Sequence, residues 1–158
     1  ELKCQSDFCV TSSNAVKIVK ALPNKNIFFI PDKNLGRYVA EQVPEKNVIL
    51  NHGYCPIHVK VSLEEVLQEK KLHPTALVLS HPECEENILN ISDYIGSTAE
   101  IIDFAKQSEK DEFIICTEDG VEFELIKTNP NKKFYFTKTN EEHNQIIRKL
   151  KNEGLWVD

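Results

Sequence analysis

A ten-residue stretch occurs twice in this chain, and the duplication limits what the chain can fold into. The first copy is Ser6-Asp7-Phe8-Cys9-Val10-Thr11-Ser12-Ser13-Asn14-Ala15, and the second is Ser92-Asp93-Tyr94-Ile95-Gly96-Ser97-Thr98-Ala99-Glu100-Ile101. A shift of 86 positions aligns them without a gap, with Ser6 on Ser92, Asp7 on Asp93, Phe8 on Tyr94 and Thr11-Ser12 on Ser97-Thr98. The correspondence continues beyond the motif. Ala15, Ile18, Val19 and Leu22 have the i, i+3, i+4, i+7 spacing of one helix face, and Ile101, Phe104 and Ala105 repeat the first three. Ile27-Phe28-Phe29-Ile30 falls on Phe113-Ile114-Ile115-Cys116, Asp32 on Glu118, Leu35 on Val121, Pro44 on Pro130, and Val48-Ile49-Leu50 on Phe134-Tyr135-Phe136. A period this long exceeds a solenoid unit. It describes two copies of one small α/β domain.

Each copy carries the same order: short apolar run, hydroxyl pair, amphipathic helix, strand, loop, helix, strand. The pattern predicts a helix over 13–22 stopped near Pro23, a strand over 26–31, a helix to about Gln42 and a strand over 48–50. Ser62 with Glu65 predicts a capping box, opening a helix that runs to about Lys71 ahead of a strand over 75–79. Glu141 to Leu150 reads as a polar amphipathic helix, and Trp156 as a packing residue. Strands that alternate with helices form mainly parallel sheets. The expected fold class is therefore α/β, as tandem pseudo-symmetric three-layer α/β domains. The boundaries are 1–80, incomplete at its start and including the crossover helix, and 81–158.

The hydroxyl pairs Thr11-Ser12 and Ser97-Thr98 stand where helices begin. Plain N-capping by Thr11 or Ser97 is one reading. Anion binding is the other, because free N–H groups and the positive dipole end favour a negative group there. Two copies in register favour the second, since repeats can aim equivalent helix ends at one ligand. In parallel α/β sheets ligands bind beyond the carboxyl ends of strands. Asp32, Asn34, His52, Cys55, His58, His81, Glu83, Cys84 and Glu118 collect at such ends.

Composition excludes several classes. Nineteen basic residues against 25 acidic ones give no basic surface for nucleic acid. No apolar run approaches the ~18 residues that would span a membrane. Five cysteines without regular disulfide spacing fit a reducing compartment, so a cytoplasmic location is expected. The chain contains no methionine and starts almost in the repeat motif, which suggests a piece of something longer.

Six short motifs carry a resemblance. They are Thr11-Ser12-Ser13-Asn14-Ala15, Pro31-Asp32-Lys33-Asn34-Leu35-Gly36, Gly53-Tyr54-Cys55-Pro56-Ile57-His58, His81-Pro82-Glu83-Cys84, Gly96-Ser97-Thr98 and Thr117-Glu118-Asp119-Gly120. In this order they resemble the quinolinate synthases over about residues 1–136. The resemblance implies three α/β domains related by pseudo-threefold symmetry, of which this chain is similar to the second and third. It implies condensation of iminoaspartate with dihydroxyacetone phosphate to quinolinate in NAD biosynthesis, with a [4Fe–4S] cluster as Lewis acid. It implies Cys55 as a cluster ligand, His81 and Glu83 as catalytic proton-transfer groups, and Ser12, Ser97 and Thr98 as substrate-binding hydroxyls.

The sequence also departs from that family. A cluster cysteine expected after Phe134-Tyr135-Phe136 is replaced by Thr137-Lys138-Thr139-Asn140-Glu141, and the resemblance reaches only the family's second and third domains. One thiolate does not hold a cluster, so this chain alone is not expected to bind one. Three alternatives follow: a truncated or divergent quinolinate synthase, a non-catalytic homologue binding a small dicarboxylate or triose phosphate without a cluster, or a split enzyme whose first domain is a separate piece. An apolar edge left by a missing domain would favour a homodimer or pairing with that piece.

Overall fold

A computed structural model describes residues 5–118 and 120–137. The predicted helix over 141–150 and Trp156 lie outside the described residues. The chain forms two compact units, 1–54 and 55–158.

In the first unit, α1 (Ala15–Ala21), β1 (Asn26–Phe29), α2 (Lys33–Gln42) and β2 (Asn47–Leu50) follow one another, and β1 pairs with β2 in parallel. Asp32 starts α2, its carboxylate accepting the Leu35 N–H at 2.8 Å. Ala15, Val19, Phe29, Leu35, Val39 and Val43 form the core on one face of this pair. On the opposite face Phe28 and Ile49, register partners, are exposed.

The second unit begins with α3 (Pro56–Val59), α4 (Leu63–Leu72) and β3 (Leu77–Ser80). It continues through α5 (Glu86–Leu89), β4 (Tyr94–Ile95), α6 (Thr98–Gln107), β5 (Glu112–Cys116), α7 (Val121–Thr128) and β6 (Lys133–Phe136). Its sheet has the order β4-β3-β5-β6, all parallel. Successive residues point to opposite faces, as strand geometry requires. Val78, Ile114 and Cys116 pack with Val66 of α4 and Ile88 of α5. Leu79, Phe113 and Ile115 pack with Ile101 and Ala105 of α6 and with Val121 and Leu125 of α7. Three layers are thus complete here. Strand 77–80 lies inside this sheet, with β4 on one side and β5 on the other.

The 86-residue shift carries structure as well as sequence. It takes α1-β1-α2-β2 onto α6-β5-α7-β6, and the partners Asn26↔Asn47 onto Glu112↔Lys133. The hydrogen bond from Asn47 N to Lys25 O becomes that from Lys133 N to Asp111 O. Lys46 Nζ donates to Leu22 O at the end of α1, and Lys132 Nζ donates to Ser108 O at the end of α6. In each copy a lysine neutralises the last carbonyls of the first helix.

Gly53 closes the first unit. Its carbonyl accepts the Lys33 N–H at 2.7 Å, and Asn51 Nδ2 donates to Pro31 O at 3.1 Å. A Cβ on Gly53 would collide with Pro31 O, a backbone atom that cannot rotate away. Gly53→Ala is therefore expected to destabilise the first unit by about 1–3 kcal/mol. A lowered thermal midpoint by circular dichroism checks this, and an unchanged midpoint refutes it.

Candidate active site

The carboxyl ends of β3 and β5 are neighbours, with Ser80 paired to Cys116. The chain leaves β3 through His81-Pro82-Glu83-Cys84, a turn closed by Cys84 N donating to His81 O at 2.9 Å. His81 N also donates to Cys116 O at 3.0 Å, which ties the turn to β5. The Glu83 N–H donates to His81 Nδ1 at 3.2 Å. His81 Nδ1 is therefore an acceptor, and its proton sits on Nε2. Burial, with the neighbouring His58 ring adding to it, lowers the His81 pKa to about 4, so the ring is neutral at pH 7.

His58, on α3, stacks on His81 with ring centroids 4.2 Å apart. Its Nε2 lies 3.2 Å from Thr117 Oγ1, just past the end of β5. Its Nδ1 lies 3.0 Å from Glu83 Oε2. That contact has ion-pair distance, but the oxygen lies off the ring N–H line, so Nδ1 is buried without a well-aligned hydrogen bond. The His58 contact holds Glu83 below the usual carboxylate range, against the opposing effect of burial. Glu83 is half-buried, and so is Cys55, the N-cap residue of α3. Burial raises the Cys55 thiol, and the Glu83 carboxylate beside it raises it further. Cys55, His58 and Glu83 place one ligand atom each within 4.8 Å of one another.

The other expected residues are placed as follows. Ser97 is buried as the N-cap of α6 in a capping box: its Oγ meets Glu100 Oε2 at 2.6 Å and accepts the Glu100 N–H at 3.4 Å. Thr98 is the first helical residue beside it and stays partly exposed. In the first copy half of this arrangement recurs, with Thr11 N donating to Asn14 Oδ1 at 2.7 Å as Ser97 N does to Glu100 Oε2 at 2.8 Å. There α1 begins later, at Ala15, so Ser12 lies in the turn before the helix and is partly exposed. Asp32 serves as a cap, while His52 and Glu118 are exposed.

The profile of the family described as "Quinolinate synthetase A protein" matches residues 1–155. The chain is 55% identical over 134 residues to the quinolinate synthase of Caldicellulosiruptor bescii, which is 85% of this chain and 44% of that protein. It is 52% identical over 139 residues to the quinolinate synthase of Fusobacterium nucleatum subsp. nucleatum (88% and 46%), and 49% identical over 135 residues to that of Clostridioides difficile (85% and 44%). This chain belongs to the quinolinate synthetase A family. It spans less than half the length of these relatives.

Membership in a family of enzymes gives the strand-end turn its context, and the donor set can be tested against a cluster. A [4Fe–4S] cluster is held by converging thiolates. Cys84 and Cys116 are fully buried in the core, and Cys84 Sγ donates to Cys116 O at 3.3 Å. Burial raises both thiols, Cys116 to about 12. Cys9 is exposed in the first unit. Among the described cysteines of the second unit only Cys55 is not fully buried, so these residues alone do not fit a cluster. Thr137 follows β6 where the family resemblance expects a further cysteine, and it is fully buried. His58, expected at a strand end without a role, and Thr117, expected only as part of a motif, join the site by contact with each other. No described helix is long and apolar enough to cross a membrane.

Proposed function

We propose that this chain supplies part of a cytoplasmic quinolinate synthase, which condenses iminoaspartate with dihydroxyacetone phosphate to quinolinate for NAD biosynthesis. The supporting observation is the His81-Pro82-Glu83 turn at the ends of β3 and β5, beside the Cys55 thiol. On this reading a first domain, on the same or a separate chain, completes the site. A [4Fe–4S] cluster, held through Cys55 together with thiolates outside the described residues, supplies Lewis acidity when bound.

The side chains divide the work by protonation state. Glu83 is ionised at neutral pH and is the base for the proton removals that dehydration and ring closure need. His81 is a neutral imidazole whose Nε2–H donates a hydrogen bond to a substrate oxygen. Thr98 offers a hydroxyl to a carboxylate or phosphate at the start of α6. Ser97 sets that start through its capping box, and Ser12 is the corresponding hydroxyl of the first unit.

The separate variants Ser12→Ala and Thr98→Ala test anion binding in each unit. With one hydrogen bond to a charged group removed, affinity for triose phosphate or a dicarboxylate should fall by about 10-fold. Calorimetric titration measures it, and unchanged affinity removes that hydroxyl from anion binding.

A further inference from the structure

We infer that Cys55 Sγ, His58 Nδ1 and the Glu83 carboxylate form a site for one divalent cation of the zinc class. The inference does not depend on the proposed reaction, and it uses only donors described in this chain. A four-coordinate ion with bonds of about 2.0–2.3 Å holds its ligand atoms about 3.3–3.8 Å apart. The three atoms here lie within 4.8 Å of one another, so shifts of about an ångström by the half-buried Cys55 and Glu83 side chains would close the set.

His58 provides the second, independent observation. The residue is 7% exposed, and its buried Nδ1 has no aligned hydrogen-bond partner although Glu83 Oε2 is 3.0 Å away. Two donors that are close but not aligned are the arrangement of two ligands of one ion. With bonds of about 2.0–2.1 Å, a 3.0 Å separation corresponds to roughly a right angle at the metal. The opposite ring nitrogen, Nε2, meets the fully buried Thr117 Oγ1 at 3.2 Å. Such an outer contact fixes the tautomer of a metal-binding histidine and turns the Nδ1 lone pair towards the ion.

The donor chemistry selects the cation. One thiolate, one imidazole and one carboxylate suit zinc or cobalt, whereas calcium and magnesium prefer oxygen-only sets. Three protein ligands leave a fourth position for water. The ion and a cluster would compete for Cys55, so the site belongs to the cluster-free protein.

The test is a Co²⁺ titration of this chain, reduced and stripped with a chelator. One equivalent should bind, giving a sulfur-to-cobalt charge-transfer band and the intense visible bands of four-coordinate cobalt, both lost on adding Zn²⁺. Cys55→Ser should remove the charge-transfer band. Glu83→Gln and Thr117→Val should weaken binding by about 10-fold or more, while Thr117→Ser, which keeps the hydroxyl, should stay near wild type. No bound cobalt after desalting would overturn the inference. So would an unchanged charge-transfer band in Cys55→Ser, which would place the thiolate elsewhere.

Discussion

Glu83→Gln is expected to abolish quinolinate formation by the whole, cofactor-loaded enzyme and to leave the fold in place. The glutamine keeps the shape of the side chain but cannot take up a proton at neutral pH. Removal of a positioned general base typically costs about 10²–10⁴ in rate. The structural cost should be small, because what closes the turn is backbone. The Glu83 N–H to His81 Nδ1 bond and the Cys84 N to His81 O bond remain whichever side chain stands at 83. What is lost is the 3.0 Å contact of the buried His58 Nδ1 with a carboxylate that is 21% exposed, worth about 1–2 kcal/mol. Steady-state rates and a thermal melt together decide the matter. Activity within tenfold of wild type would remove Glu83 from the chemistry. A melt lowered by many degrees would make it a structural residue instead.

The fold was legible where local chemistry and long-range packing agree. Apolar runs of strand length became β1, β2, β3, β5 and β6, and Ser62 caps α4 as expected, whereas Asp32, expected as a functional strand-end residue, caps α2. Elements shorter than a period were not legible: α3, α5 and β4 have four, four and two residues. Ser97 and Glu100 stand at the capping-box spacing, and the structure forms that box, which matches the N-capping reading of Ser97. At the site, a strand-end position puts His81 and Glu83 among the candidates, and the family resemblance gives them their roles. For His58 the sequence supports a strand-end place but no role. Its contacts with Glu83 and Thr117 depend on α3 lying against the ends of β3 and β5, and Thr117 is 59 residues away in sequence. The layering differs between the units for a related reason. α4 and α5 cover the second face of the second sheet, and no counterpart covers Phe28 and Ile49 among the described residues of the first.

Phe113→Ala should be among the most destabilising single changes in the second unit, costing about 3–5 kcal/mol. Phe113 is fully buried in the middle of the sheet, packed with Leu79, Ile115, Ile101 and Leu125. Its ring stacks on Phe134 of β6 with centroids 5.6 Å apart, and Lys132 Nζ lies 5.5 Å from its centre. That lysine also holds the last carbonyls of α6, donating to Ala105 O at 2.7 Å and Ser108 O at 2.6 Å. Truncation would therefore open a cavity between β5 and β6 and remove one wall of the lysine's seat. Phe123, on α7 and 73% exposed, is the control: Phe123→Ala should change stability by less than about 0.5 kcal/mol. Urea unfolding curves with matched slopes separate the two variants. A loss under about 1 kcal/mol for Phe113→Ala would mean that the core collapses onto the cavity without cost, which close packing at native density does not allow. The position matters beyond its size, because the 86-residue shift places Ile27 of β1 where Phe113 stands in β5. Ile27 is only partly buried, at the edge of a core that covers one face of its sheet. The same truncation at Ile27 should cost less than at Phe113, because the penalty follows how much of the surrounding layer is complete.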